Sequence, residues 1–591
     1  MVNGVDDLLA LWGPDRVLHL FEVAQTATPE RNSTQAQLLV ELAVNAELFH
    51  TPDGDAYASI VVGEHIETWQ IKGRKFRLWL QGRFYREHHK PPGTQALQEA
   101  IGVLEAQALH DAGELPVFVR IAGQSGHIYI DLCDANWRVI DVSIDGWRVV
   151  DQAPVRFRRH KGMMALPTPV HGGLIGNLRD LINIGSEANW TLCLAWLVAA
   201  FHPEGPYPLL ILQGEHGSAK STTAKILRML VDPSTALVRT PPSDERDLVI
   251  TAKNSWILAF DNVSGIQPWL SDGFCRLATG GGLATRELYT DADEVLFDAK
   301  RPVVLNGIDQ LAGRPDLGDR SLILNLPQID TVERREEKRL YAEFESKQAQ
   351  LLGAVLDAVS TALRRYSDVH LNSLPRMADF AVWATAAEPG LGLAPGSFIK
   401  AYTGNREEAI DAALDSDSVA LALANLLVTS GPWQGTAGDL LHALEPHAIE
   451  QVRRSHEWPK NPRALSSRLK RLAPFLREQG TVVTFQPRST NGCRPINIQR
   501  MARQNAVNTV TTVTTVTNTR LTSKVEHDTG QGSGGHSGTV TKAVRQHNEP
   551  PPQNNGANQL SGRIPSAPDG GSGGSGDPKP EESSTVEEGW I

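Results

Sequence analysis

Residues 209–222 read Leu-Leu-Ile-Leu-Gln-Gly-Glu-His-Gly-Ser-Ala-Lys-Ser-Thr. No other stretch of the chain constrains the fold as strongly. The apolar run asks for a buried strand, the two glycines permit a turn that most side chains forbid, and Thr223 to Val231 carries helical periodicity. Asp232-Pro233 then stops the helix. A strand, a glycine-bearing turn and a helix N-terminus in succession aim backbone N–H groups at one point, which is how a chain cradles phosphate. In that geometry Gly214, Glu215, His216, Gly217, Ser218 and Ala219 form the cradle, and Lys220 reaches the β- and γ-phosphates. Ser221, followed by Thr222, offers a hydroxyl to a metal ion. The expected ligands are ATP and Mg²⁺. Ala219 stands where the phosphate-loop pattern has glycine, so the turn has to tolerate a β-carbon there.

A second apolar run, 256–260, ends in Asp261-Asn262, and Asp261 is the expected carboxylate on the Mg²⁺ side. A third, 302–305, ends in Asn306, whose amide can orient an attacking water. Arg314 and Arg320 lie beyond it, the latter just before another apolar run, 322–326. The order of lysine loop, Asp, Asn and Arg resembles the core of AAA+ ATPases, and especially the superfamily 3 helicases of viruses and mobile elements. The resemblance spans roughly residues 186–330. It implies a parallel-sheet P-loop core, ring assembly, and ATP hydrolysis that drives movement on DNA. It further implies that Asp261 holds Mg²⁺ through water, that Asn306 senses the attacking water, and that Arg320, with Arg314 in reserve, reaches a neighbouring subunit's nucleotide. Asn262 departs from the family, in which many members carry a water-activating acid at that position; an amide orients water but takes no proton. Glu287 is a possible substitute.

The same family places a DNA-gripping hairpin between the Asp and Asn strands, and here 285–289, 290–293 and 294–297 read as strand, turn and strand. Arg286 and Lys300 are its basic candidates, while Asp291 and Asp293 at the tip oppose phosphate contact. A purely structural hairpin therefore stays open. Farther along, residues 451–500 hold eleven Lys/Arg against two Glu inside a chain whose net charge is −11. Residues 463–479 form an amphipathic helix with Leu465, Leu469, Leu472 and Leu476 on one face. Arg468, Lys470, Arg471 and Arg477 are left for solvent. A hairpin with a basic tip follows, at 482–485 and 495–498. Helix and hairpin together resemble the winged-helix modules of phage and plasmid primase-helicases. That implies DNA contacts by Arg463, Arg468, Lys470, Arg471, Arg488 and Arg494; a solvated basic helix is the alternative.

The basic stretch from Lys72 to Arg86 interleaves six cations with Phe76, Trp79, Phe84 and Tyr85, a mixture suited to stacking bases or to an ordinary charged-edge core element. Arg156, Arg158, Arg159 and Lys161 form a smaller patch of the same ambiguity. The rest of the first 185 residues reads as α/β, with helices near 34–46 and 93–107 and strands at 117–121, 128–132 and 147–150. No carboxylate cluster there suggests a primase or nuclease. The expected organisation is multidomain α/β: an N-terminal α/β domain (1–185), a P-loop core (186–332), a helical lid or accessory region (333–430), a winged-helix-like module (431–500) and a disordered tail (501–591) rich in Thr, Gly, Ser and Pro.

Four scattered cysteines give neither a zinc site nor a disulfide framework, and the longest apolar stretch, 191–201, is too short to span a bilayer. With no signal-peptide pattern at the start, a cytoplasmic protein that avoids membranes is expected. The reading is an ATP-binding and ATP-hydrolysing DNA helicase or translocase of phage or mobile-element replication, acting as a homo-oligomeric ring with DNA and other replication proteins. A DNA-binding nucleotide switch, an initiator or regulator that assembles with ATP without unwinding, is the alternative.

Overall fold

The computed structural model describes residues 13–18, 33–286, 294–297, 300–307, 315–456, 458–487 and 494–501. The expected disordered tail lies outside them. Near the N-terminus, α1 (Gln35–Leu42) is followed by β1 (Glu47–His50), β2 (Ala56–Val62), β3 (His65–Gln70), α2 (Arg74–His88) and α3 (Thr94–His110). Thr34 starts α1 through a reciprocal capping box with Gln37. The three strands form an antiparallel meander. The meander and helices bury their own core, built on Leu39, Ile60, Phe76, Leu80, Phe84, Leu97 and Leu104. From Arg74 on, the basic stretch is thus a single helix packed on that core.

Next come β4 (Val117–Phe118), β5 (Ile121–Gln124), β6 (His127–Asp131), β7 (Val139–Ser143), β8 (Gly146–Val150) and β9 (Arg156–Phe157), of which β5 to β8 make a four-stranded antiparallel sheet. The single strand expected at 117–121 is broken, because Arg120 adopts a left-handed backbone with φ 62°. Its side chain turns inward, fully buried, and donates to Asp232 Oδ1 at 3.0 Å, Asp131 O at 2.9 Å and Met164 O at 2.9 Å. Asp232 Oδ2 accepts from the amides of Trp256 and Ile257 at 3.0 and 3.1 Å. Burial pushes the Asp232 carboxyl up, but Arg120, Arg228 and the Ile257 amide outweigh it and hold the group below the usual carboxylate range. This network fastens the antiparallel sheet to the element that follows.

That element contains α4 (Glu187–Ala199), β10 (Leu209–Gln213), α5 (Lys220–Val231), α6 (Glu245–Asn254), β11 (Leu258–Phe260), α7 (Pro268–Thr279), β12 (Leu283–Arg286), β13 (Glu294–Phe297), β14 (Val303–Gly307), α8 (Pro315–Gly318) and β15 (Ser321–Asn325). The order β11-β14-β10-β15 makes a parallel sheet. Leu210 and Leu212 of β10 join a core on one face, while Leu209 and Ile211 join a different core on the other. Double coverage explains why these strands read as unbroken apolar runs. β12 and β13 pair antiparallel with Arg286 opposite Glu294, so the first hairpin strand begins two residues before its expected start. The tip lies outside the described residues.

Helices then dominate, as expected: α9 (Glu337–Arg365), α10 (Ala378–Ala387), α11 (Ser397–Ser416) and α12 (Ser418–Ser430). Leu352, Val355, Leu356 and Val359 of α9 belong to the same core as β6, β7 and the parallel sheet. Close approach makes this possible, since a β-carbon on Gly353 would stand 2.0 Å from Val170 O. The chain continues with β16 (Trp433–Gly435), α13 (Ala437–Leu444), α14 (Glu450–Arg454), α15 (Pro462–Glu478), β17 (Thr481–Phe485) and β18 (Ile496–Arg500). β18 lies between β16 and β17 in an antiparallel sheet. A separate core joins α12, α13, α15 and this sheet to the end of α11. Leu465, Leu469, Leu472 and Leu476 are all buried in it. Among the described residues, no single helix is long and apolar enough to cross a membrane.

Candidate functional site

The loop from Gly214 to Ala219 leaves the C-terminal edge of β10 and enters α5 at Lys220. Ala219, expected to strain a turn that favours glycine, takes the left-handed conformation at φ 58° and ψ 31°. Such a residue costs on the order of 1 kcal/mol and persists only where its surroundings fix it. They do so through Ser218, which is buried: its Oγ donates to Glu215 O at 2.9 Å, and its own carbonyl accepts from Asn183 Nδ2 at 3.0 Å. Lys220 Nζ folds into the loop and donates to Gly214 O at 2.7 Å and Glu215 O at 2.8 Å. Burial lowers the Lys220 ammonium below its ordinary pKa, and Asp261 works against that shift. Glu215, His216 and Gly217 face solvent, and Thr222 is half-buried.

Three segments converge beside this lysine. Ser221 Oγ donates to Asp261 Oδ1 at 2.9 Å, and the Asn306 amide nitrogen lies 3.5 Å from the same hydroxyl. Asn306 is 1% exposed. Its Oδ1 accepts from the Asn262 backbone N–H at 2.9 Å, and that N–H also reaches Asp261 Oδ1 at 2.8 Å. Asn262 contributes this contact by adopting φ 54°, with its side chain exposed. The parallel register makes the convergence possible, because Leu212 aligns with Asn306 and Leu258 to Phe260 run beside Val303 to Leu305. A hydroxyl and a carboxylate oxygen in contact are hard donors of the kind Mg²⁺ takes together with phosphate oxygens and waters. Among the described residues, no group of three or more His, Cys, Asp or Glu forms a metal cage.

Arg320 is not part of this cluster. Leu209 pairs with Ser321 and Gln213 with Asn325, so Arg320 sits at the opposite end of the strands from the loop. Its Nη1 donates to Asp316 O at 2.9 Å. The 214–219 loop of its own chain is therefore out of its reach. Arg314 and Arg488 lie outside the described residues, as does the side chain of Arg286.

Two residues near the loop carry no sequence motif. Asn183 also donates to Pro327 O, at 2.6 Å, and so clamps the loop from the segment before α4. Arg334 Nη2 lies 3.1 Å from where a β-carbon on Gly217 would stand. Gly217, at φ 82°, thus leaves room for a guanidinium over the loop. An arginine 117 positions downstream of a glycine, inside the charged run Glu333-Arg334-Arg335-Glu336-Glu337, gives no local signal.

On the basic module, Arg463, Lys470, Arg471 and Arg477 are exposed on α15. Arg468 differs from the expectation that it faces solvent: its Nε pairs with Asp417 Oδ2 at 2.8 Å. Helical spacing puts it one turn from the apolar stripe, within reach of the α12 N-cap. Arg494 is exposed and donates to Gln486 O at 3.0 Å.

Residues 175–406 match the sequence model of the actinomycete integrative conjugative element replication protein, and residues 419–515 match that of the AICE RepA C-terminal domain. No protein of curated function matches the chain. Among solved structures, the A form apo structure of the NrS-1 C-terminal region is similar at 11% identity and a TM-score of 0.36, covering 78% of this chain and 98% of that one. The apo structure of NrS-1 residues 305–718 is similar at 11% identity and a TM-score of 0.35, covering 79% and 100%.

Proposed function

We propose that this chain, which belongs across residues 175–406 and 419–515 to the replication proteins of actinomycete integrative conjugative elements, is an ATP-driven motor on DNA. The observation that carries the reading is the contact of Ser221, Asp261 and Asn306 beside a lysine-bearing loop at one edge of a parallel sheet. Ligands of open α/β sheets bind at that edge. In this reading the loop amides from Gly214 to Ala219 and the Lys220 ammonium hold the phosphates. Ser221 and Asp261 hold Mg²⁺, which when bound draws charge from the β- and γ-oxygens. Asn306, fixed by the Asn262 amide, orients the attacking water, and Arg334 adds positive charge from the same chain. Arg320 completes the site of the next subunit in a ring. The α12–β18 unit then acts as a winged helix, with α15 toward the DNA and the β17–β18 connection on phosphates.

One observation favours a second reading. Asn262 spends its backbone on Asp261 and Asn306 and supplies no base, which suits a nucleotide switch that assembles on DNA without unwinding it. Steady-state ATP hydrolysis with and without single-stranded DNA separates the two. A motor hydrolyses faster with DNA and loses turnover in both Lys220→Ala and Arg320→Ala. ATP binding without turnover would reject the motor and leave the switch.

A further inference from the structure

Helix α2 carries four arginines and one lysine against one glutamate, far more charge than its docking requires. Phe76, Leu80 and Phe84, all fully buried, hold it on the N-terminal core. Arg74, Lys75 and Arg77 crowd the first turn, where the helix dipole disfavours cations and no acid is present. Stability therefore does not explain them. Just before the helix, Lys72 pairs with Glu105 at 2.7 Å, and Arg86 Nε donates to Gly82 O at 3.3 Å. The side chains of Arg74, Lys75, Arg77 and Arg83 have no hydrogen-bond or ion-pair partner among the described residues.

The cations are ordered around an aromatic ring. Lys75, Trp79, Arg83 and Arg86 follow one another at helical spacing, a stripe about 16 Å long. The Arg83 guanidinium lies 5.3 Å from the centre of the Trp79 ring. Trp79, Arg83, Arg86 and Glu87 line an open depression of 520 Å³ with Val61, which is 64% exposed. Gly82 interrupts the helix beside this stripe, at a cost of about 0.5–1 kcal/mol relative to alanine. Nothing lies within 4 Å of where its β-carbon would be, so close packing does not account for it. It leaves the surface between Trp79 and Arg86 without a side chain at that position.

We propose that this stripe is a docking surface for single-stranded DNA, separate from the α15 module and independent of the ATP reading. A base takes the place of the Arg83 guanidinium over the Trp79 ring, while Lys75, Arg83 and Arg86 take the flanking phosphates. The strand is single because a stacking ring needs a base face that a duplex does not offer. Glu87 only accepts hydrogen bonds when ionised, which suits an exocyclic amino group of a base. An acidic peptide would satisfy the cations but give the Trp79 ring no role.

The test is fluorescence anisotropy of the full chain with a mixed-sequence single strand of about 16 nucleotides, its duplex, and an abasic strand of equal length. Trp79→Ala is expected to weaken single-strand binding about tenfold, with Trp79→Phe within about twofold of the parent. The abasic strand is expected to be insensitive to Trp79. Arg83→Ala/Arg86→Ala should reduce the single-strand salt slope by about 1.4 and leave duplex binding unchanged. Unchanged single-strand affinity and slope in the double variant, whose side chains bury no core, would overturn the proposal. So would equal losses on duplex and single strand.

Discussion

The edge of the parallel sheet and the outer face of α15 were both legible as local patterns, yet the structure treats their polar side chains in opposite ways. At the sheet edge, Ser221, Asp261 and Asn306 come from segments as much as 85 residues apart, and Asp261 and Asn306 both reach the Ser221 hydroxyl. On α15, Lys470, Arg471 and Arg477 come from neighbouring turns of one helix and face solvent. Convergence has to be held against the desolvation of each group, whereas dispersal over a surface costs almost nothing. Convergent groups are expected to act as a unit, and dispersed ones to act additively.

The largest expected effect breaks or keeps that distinction directly. Lys220→Ala should lower ATP turnover about a thousandfold, as loss of other cations on a transferring phosphoryl group does. Asn306→Ala should lower turnover with little change in nucleotide affinity, and combining it with Ser221→Ala should cost much less than the sum of the two. Additive losses across the pair, measured as kcat by steady-state kinetics, would mean that the cluster is a packing device.

Convergence alone is not chemistry, and the Arg120–Asp232 pair supplies the control. Both side chains are almost wholly buried, 0% and 2% exposed, and they bond to each other and to backbone groups of Asp131, Met164, Trp256 and Ile257. Asp232→Ala leaves a buried guanidinium uncompensated and should destabilise the fold by about 3 kcal/mol or more. Below melting, nucleotide affinity should be little changed. A denaturant titration beside nucleotide binding checks both halves. Smaller effects belong to α15: Lys470→Ala and Arg471→Ala should each reduce the salt slope of duplex binding by about 0.9. Arg468→Ala, held by Asp417, should instead cost about 1 kcal/mol of stability and leave that slope unchanged.

What the sequence made legible follows the same division. The loop, its helix and the apolar strands could be read because each is a local run with a local reason: burial on both faces for β10, glycine and helix start for the loop. The ends of those strands bring Asp261 and Asn306 to one edge, because parallel neighbours in register align their C-terminal residues. Asn183 and Arg334 could not be read, since each reaches the loop from another segment and neither belongs to a pattern. Arg468 misled for the converse reason. A charge on an amphipathic helix looks solvated until the partner at Asp417, 51 residues earlier, is known. The break at Arg120 was likewise invisible, because the left-handed turn exists to bury a side chain whose acceptors lie elsewhere.

The smallest effect probes the border of the buried network, where a group converges without finding a partner. His160 is half-buried, and its Nδ1 has no hydrogen-bond partner among the described residues. Burial first, and then Arg158, Arg120 and Arg239 against the pull of Asp232, lower its pKa to about 4. The unfolded chain takes up this proton near pH 6.5 and the folded chain only near pH 4. Between those values the unfolded state binds more protons, so stability rises with pH across the window and falls on acidification. Above pH 6.5 the ring is neutral in both states and contributes no pH dependence. With allowance for solvent at a half-buried ring, the loss by pH 5 should be about 1 kcal/mol. His160→Asn removes the titration and should flatten that part of the stability curve, measured by chemical denaturation from pH 5 to 7.5. Parallel curves for the two proteins would mean that His160 relaxes to water on protonation, and that the network ends at Arg120 and Asp232.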